Sequence, residues 1–303
     1  MQNLKIYSAI VLAMILWSVS FIWTKIAIEV FLPVSLISLR LLIASVLLFL
    51  FVRFTGKFQH IKRQDLKWFL LLALFEPFIY YLGETYGLTL VEPTPAAVII
   101  STIPLFAPLF AYFFLKEKIS FTNVAGIFIS LFGVFFVVYQ PGAGFNASPL
   151  GVVLLFVGVF SAIGYSAILR KISTHYSIVN VIFYQSLIGL IYFIPTFFIT
   201  DFSKINNIHI TKDAIISLIM LAVFCSVIAF IFFAWVVRKV GVARTNVFVN
   251  LIPVFTAIFS WLIVGSSITG LQWLGISIAV AGLFISQSVK IRLPFKVIKG
   301  IEY

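Results

Sequence analysis

The sequence predicts an all-α polytopic membrane protein with ten transmembrane helices arranged as two inverted five-helix repeats. Three observations carry that expectation. Of 303 residues, 62% are hydrophobic and only 10% charged, where a soluble domain carries about 25% charged residues. The apolar residues fall in runs of about 20, the length that crosses a bilayer as a helix. The basic residues crowd alternate loops, and part of the chain repeats itself.

In order, the expected helices are 6–26, 33–54, 66–88, 95–115 and 121–139, then, after a Pro/Gly-rich turn at 140–146, 149–169, 178–199, 214–237, 243–264 and 271–289. The first run begins like a signal peptide. It is long enough to span, however, and Trp17, Phe21 and Trp23 stand where small residues would mark cleavage, so it reads as a retained helix. Lys5, the 53–67 segment, Lys116 and Lys118, Arg170 and Lys171, Arg238, Lys239 and Arg244, and the C-terminal tail hold nearly all the positive charge. The loops 90–94, 141–148 and 265–270 hold no Lys or Arg, and Lys204 and Lys212 are balanced by Asp201 and Asp213. By the positive-inside rule both termini are cytoplasmic, in the cell membrane. This sidedness accounts for the net charge of +12, and no nucleic-acid partner is expected. The single cysteine, Cys225, lies in an apolar run and cannot form an intrachain disulfide.

A shift of 149 residues lays 86–136 on 235–285 without a gap and gives about a dozen identities, including Pro104 with Pro253, Phe110 with Phe259, Gly126 with Gly275 and Gly133 with Gly282. The copies lie five helices apart, an odd number, so they cross the membrane in opposite senses. Lys116-Glu117-Lys118 in one copy becomes Gly265-Ser266-Ser267 in the other, as an inversion requires. The expected units are 1–145, 146–292 and a basic cytoplasmic tail, 293–303. Inverted repeats are characteristic of secondary transporters, with the site near the midplane.

Two carboxylates lie within the third helix. Glu76 is about ten residues in, about 15 Å deep at about 1.5 Å per residue. A carboxylate at that depth marks a functional site, either exchanging a proton or meeting a cationic group on a solute, unless it is a fixed structural acceptor. Tyr80 and Glu84 follow at i+4 spacing, and Gly83 and Gly87 lie beside that stripe, a face expected to border a water-filled cavity. Pro77 is expected to kink the helix and free a carbonyl near Ala73. Glu84 matches the depth of Arg40 in the second helix, so an ion pair between them is expected, with Lys25 joining it or reaching to the interface. Trp17 and Tyr165 are too deep for interfacial belts and are read as cavity-lining. Asn246 and Asn250, at i and i+4 before Pro253, are read as substrate contacts or as glue between helices, and the serines of helices one and six chiefly as packing residues. No hydrolase, phosphate-loop or intramembrane aspartyl motif appears, no metal site or cofactor is expected, and His60, His175 and His209 fall in loops.

These residues resemble the drug/metabolite transporter superfamily, specifically its EamA-type members. The matching pieces are Leu16-Trp17-Ser18 with Lys25, the stretch Leu39-Arg40-Leu41-Leu42-Ile43-Ala44, Tyr86-Gly87-Leu88 leading to Pro104-Leu105-Phe106, Leu115 to Ile119, and Val249-Asn250-Leu251-Ile252-Pro253-Val254-Phe255. The resemblance spans 4–289. It departs at Ser266, where the second copy usually carries an acidic residue, and the superfamily pattern gives Glu76 and Glu84 no role. The resemblance implies efflux or exchange of small organic solutes (amino acids, metabolites or drugs) by alternating access. It also implies a cavity between helices one, three, four, six, eight and nine, in a monomer or weak homodimer. A proton is the expected coupling ion. The rival reading is an uncoupled facilitator in which Glu76 selects cationic solutes; an intramembrane enzyme or scaffold has no motif to support it.

Overall fold

A computed structural model describes residues 2–106, 121–140, 144–145, 147–205, 210–266 and 268–287. The helices are α1 (Gln2–Ala27), α2 (Pro33–Phe54), α3 (Leu66–Ala73), α4 (Tyr80–Leu90), α5 (Pro93–Ile100), α6 (Phe121–Val138), α7 (Pro149–Ile172) and α8 (Ile178–Thr200). They continue as α9 (Lys212–Met220), α10 (Ala229–Val240), α11 (Val242–Asn246), α12 (Ile252–Phe259) and α13 (Gly270–Gln287). A two-residue antiparallel pairing, Tyr139–Gln140 with Gly144–Phe145, closes the turn between α6 and α7. Lys116-Glu117-Lys118, Pro108, Phe110, Asn146, His209, Ser267 and the 293–303 tail lie outside the described residues.

Local chemistry explains the boundaries. Proline opens α2, α5 and α7, where its missing N–H costs nothing. Ser177 and Thr211 cap α8 and α9 by accepting backbone N–H bonds. The last turns of α2, α7 and α10 carry Arg53, Arg170 with Lys171, and Arg238 with Lys239, which suits both the helix dipole and an interfacial position.

Among the described residues, seven helical stretches are long and apolar enough to cross a membrane. Three further stretches at expected spans are shorter, Pro93–Phe106, Val124–Val138 and Gly270–Ser286, the first running into undescribed residues. Large apolar side chains stand exposed around the bundle, as at Phe128, Phe132, Phe160 and Trp261. In water such a belt would drive aggregation, whereas in a bilayer it is the solvated surface.

Two of the long stretches share an interruption. Arg63–Leu90 contains a widened turn at Leu74–Ile79, and Lys212–Val240 contains another at Leu221–Ile228. Adding 149 to a residue number takes Arg63 to Lys212 and Leu74–Ile79 to 223–228. In the first, Glu76 leaves helical geometry (φ −144°, ψ 118°) and is joined to Pro77 by a cis bond. The carbonyl just before the break, that of Phe75, is held twice. It accepts the Tyr80 N–H and, at 2.6 Å, the Ser161 hydroxyl of α7. In the second, the Cys225 carbonyl accepts the indole N–H of Trp17 from α1 at 3.3 Å.

Helices α6 and α13 pack backbone to backbone. A Cβ on Gly126 would lie 2.6 Å from the Gly282 carbonyl, and one on Gly275 would lie 2.8 Å from the Gly133 carbonyl. The partner number falls as the α6 number rises, so the pair is antiparallel. The glycine face of α4 is likewise packed and borders no cavity. Gly83 meets the backbone of Leu154 and Gly158 on α7, and Gly87 meets Leu155. Small residues let backbones approach closely, the main source of helix association in lipid, so the bare face expected to be wet is a contact.

On the basic side, the 57–65 loop is held to the start of α8. Asn180, fully buried, accepts the Gln59 N–H at 3.0 Å and donates to the Lys57 carbonyl at 2.8 Å. Gln59 in turn accepts the Ser177 N–H through Oε1 at 2.7 Å. The Tyr176 hydroxyl accepts from the Lys62 N–H and donates to Asp65 at 2.7 Å. Burial, with Asp65 beside it, pushes the Tyr176 phenol above its ordinary value, which keeps it an O–H donor. Asn180→Ala strands buried backbone groups and is expected to cost about 1–3 kcal/mol. The check is a lower thermal midpoint of the full-length protein in detergent, with Thr174→Ala, exposed, as control.

Candidate functional site

A cavity lies where α1, α2, α4, α5, α7, α10 and the segment after α11 converge. Its polar residues are Arg40, Glu76, Tyr80, Tyr81 and Glu84, and Trp17, Phe21, Phe230 and Phe233 add an aromatic lining. Ile100, Ile103, Tyr165, Asn246, Val249 and Ile252 complete much of the rest. Its free volume is about 50 Å³, room for a few waters and no more.

Each expected site residue can now be placed. Trp17, Glu76, Tyr80, Glu84, Arg40, Tyr165 and Asn246 all face this cavity. Tyr165 is 2% exposed and donates to Gln185 at 3.1 Å; Trp17 packs edge-on to Phe230, with centroids 5.1 Å apart. Asn250 is the exception. It is buried, it is not among the cavity-lining residues, and its amide finds no hydrogen-bond partner among the described residues. Val247–Leu251 winds as a tighter helix of about three residues per turn, so i+4 no longer shares a face with i. The i+3 series Asn246, Val249, Ile252 faces the cavity instead.

The expected Arg40–Glu84 ion pair does not form. Glu84 accepts the Tyr80 hydroxyl at 3.1 Å, one helical turn away on its own helix. Arg40, 4% exposed, donates through Nε to the Ser226 hydroxyl and lies over the Tyr81 ring, 4.3 Å from its centroid. Equal depth along two helices does not fix which way their side chains point. Lys25 joins neither. It pairs with Glu92 at 3.2 Å and donates to the Leu88 carbonyl, the one ion pair among the described residues. Glu76, 6% exposed, is left with no hydrogen bond or ion pair among them.

Sequence reasoning did not single out Tyr81, Ser226, Phe230 or Phe233. The shift of 149 residues was a usable signal, since it carries Tyr81 to Phe230, Glu84 to Phe233, Ile100 to Val249 and Ile103 to Ile252, and all eight line the cavity. No group of three or more His, Cys, Asp or Glu that could hold a metal occurs among the described residues.

Fold and site together define a multi-pass membrane protein with a cavity lined in part by charged residues. The chain belongs to the EamA-like transporter family, which matches residues 4–139 and 149–287. It is similar to an uncharacterized transporter of Archaeoglobus fulgidus, 27% identical over 289 residues, covering 95% of this chain and 99% of the relative. It is also similar to the uncharacterized transporter YoaV of Bacillus subtilis, 24% identical over 284 residues, covering 93% and 96%. The uncharacterized inner membrane transporter YedA of Escherichia coli is 23% identical over 301 residues, covering 97% and 94%. A crystal structure 17% identical in sequence superimposes with a TM-score of 0.64, covering 90% of this chain and 97% of that one, a likeness of fold alone.

Proposed function

We propose that this protein is a secondary transporter that exports small organic solutes by alternating access, with a proton as coupling ion at Glu76. Ten spans form two inverted halves, 1–145 and 146–292, with both termini and the basic tail on the cytoplasmic face of the cell membrane. The observation that carries this reading is the correspondence at 149 residues. Both interrupted helices, four pairs of cavity-lining residues and the crossed contacts Gly126–Gly282 and Gly133–Gly275 obey it. A pseudo-two-fold axis through the cavity accounts for all three, and rocking of one half against the other would open the cavity to each side in turn. The family matches two segments of the chain, one in each half, which agrees with that division. Glu76 is the coupling candidate because it is the cavity carboxylate with no hydrogen bond or ion pair among the described residues.

The test is pH-jump flux in proteoliposomes against a pooled amino-acid and metabolite library, wild type beside Glu76→Gln. A solute driven uphill by a proton gradient, with the drive lost in the variant, is the expected result. Equal, downhill-only equilibration in both proteins would replace this reading with the uncoupled facilitator.

A further inference from the structure

We propose that the solute bound in this cavity is an organic monocation with an apolar, preferably aromatic, body, its positive charge set against Glu76. This rests on the transporter reading and adds the class of ligand.

The argument begins with charge. Three ionisable side chains of fixed sign face the cavity: Arg40, Glu76 and Glu84. With both carboxylates ionised they sum to one negative charge. Arg40 is committed to Ser226 and the Tyr81 ring, and Glu84 accepts from Tyr80. Glu76 is buried, faces the cavity and has no partner among the described residues. A carboxylate held away from water needs a proton or a counter-charge, so a cationic solute at Glu76 would take the place of the coupling proton.

The second observation concerns the aromatic lining. At the 149-residue correspondence, Glu76, Tyr80, Tyr81 and Glu84 are answered by Cys225, Ala229, Phe230 and Phe233. The first half thus supplies the acidic wall and the second half an apolar aromatic one, completed by Trp17, which packs on both phenylalanines at 5.1 and 4.9 Å. A carboxylate sharing a cavity with aromatic rings favours an ammonium on a hydrophobic body, since ring faces attract the same charge. A free amino acid fits poorly. Its carboxylate would need a cation, and the one guanidinium among the described lining residues is already engaged. The present volume of about 50 Å³ admits no such solute, so entry requires the halves to part.

The probe is radiolabelled benzyltrimethylammonium, bound to the purified full-length protein in detergent. Saturable binding is expected, displaced neither by its neutral isostere neopentylbenzene nor by L-phenylalanine, and weakened at least about tenfold in Glu76→Gln, equivalent to about 1.4 kcal/mol. Glu76→Asp retains the charge and should keep measurable binding, separating lost charge from lost fold. Displacement by neopentylbenzene, unchanged binding in Glu76→Gln, or displacement by sodium or potassium at equimolar concentration would overturn the proposal. Cation binding without flux in liposomes supports the ligand class and removes the transporter reading. Flux of a neutral or anionic solute unaffected by Glu76→Gln keeps the transporter and overturns the ligand class.

Discussion

Gly133→Leu is expected to destabilise the fold more than any substitution at the lipid-facing surface. A Cβ at this position would lie 2.6 Å from the Gly275 carbonyl and 2.7 Å from the Ala279 Cα. Both are backbone atoms of α13 and neither can rotate away. Overpacking a well-filled contact costs about 1–3 kcal/mol, and a leucine here must also force two helix backbones apart over much of their length, placing it at or beyond the upper end. The measurement is thermal unfolding of full-length protein in detergent, with Phe132→Leu, 58% exposed, as a control expected to change little. Gly282→Leu supplies a sharper version. Its Cβ would lie 2.8 Å from the Gly126 carbonyl, the same contact by the 149-residue correspondence, so the two losses should be similar. A Gly133→Leu protein that unfolds at the wild-type temperature would refute the close approach, and a large disparity between the two would weaken the two-fold relation.

What the sequence could convey about this molecule divides along physical lines. The seven long spans were legible because about 20 apolar residues have few other uses. The residues around the cavity were legible where depth alone decided, as for Trp17, Glu76 and Tyr165. Orientation was not. The Arg40–Glu84 pair failed because Arg40 turns to Ser226 and the Tyr81 ring, a direction that equal depth does not fix. Asn250 failed because a local tightening of the helix rotated it off the cavity face, and sequence periodicity assumes a constant turn. Gly83 and Gly87 show a subtler limit, since a missing side chain is compatible with either a wet face or a close contact. The deciding signal was available in Gly151 and Gly158 on α7, seven residues apart. The loop contacts of Gln59, Tyr176 and Asn180 left no periodic trace at all.

Arg40→Met is expected to be the most damaging change within the cavity, and the reason lies in charge rather than volume. Methionine fills much of the same apolar space, so packing alone predicts a modest loss. Removing the guanidinium, however, leaves Glu76 and Glu84 facing one small cavity with no cation in it. Breaking up a buried charge cluster by removing one sign costs about 3–5 kcal/mol. The Tyr81 ring and the Ser226 hydroxyl also lose their partner. A charge origin makes a specific demand on the double variant: Glu84→Gln should restore much of the stability lost in Arg40→Met. Glutamine can still accept the Tyr80 hydroxyl, and one carboxylate then remains instead of two. Thermal midpoints of wild type, both single variants and the double variant form the cycle, and non-additivity reports the coupling between the two sites. Rescue would mean that Arg40 holds the acidic wall together by its charge, although it touches neither carboxylate. Additive losses would mean that it acts through Tyr81 and Ser226 alone, and the charge balance around Glu76 would then have to come from elsewhere.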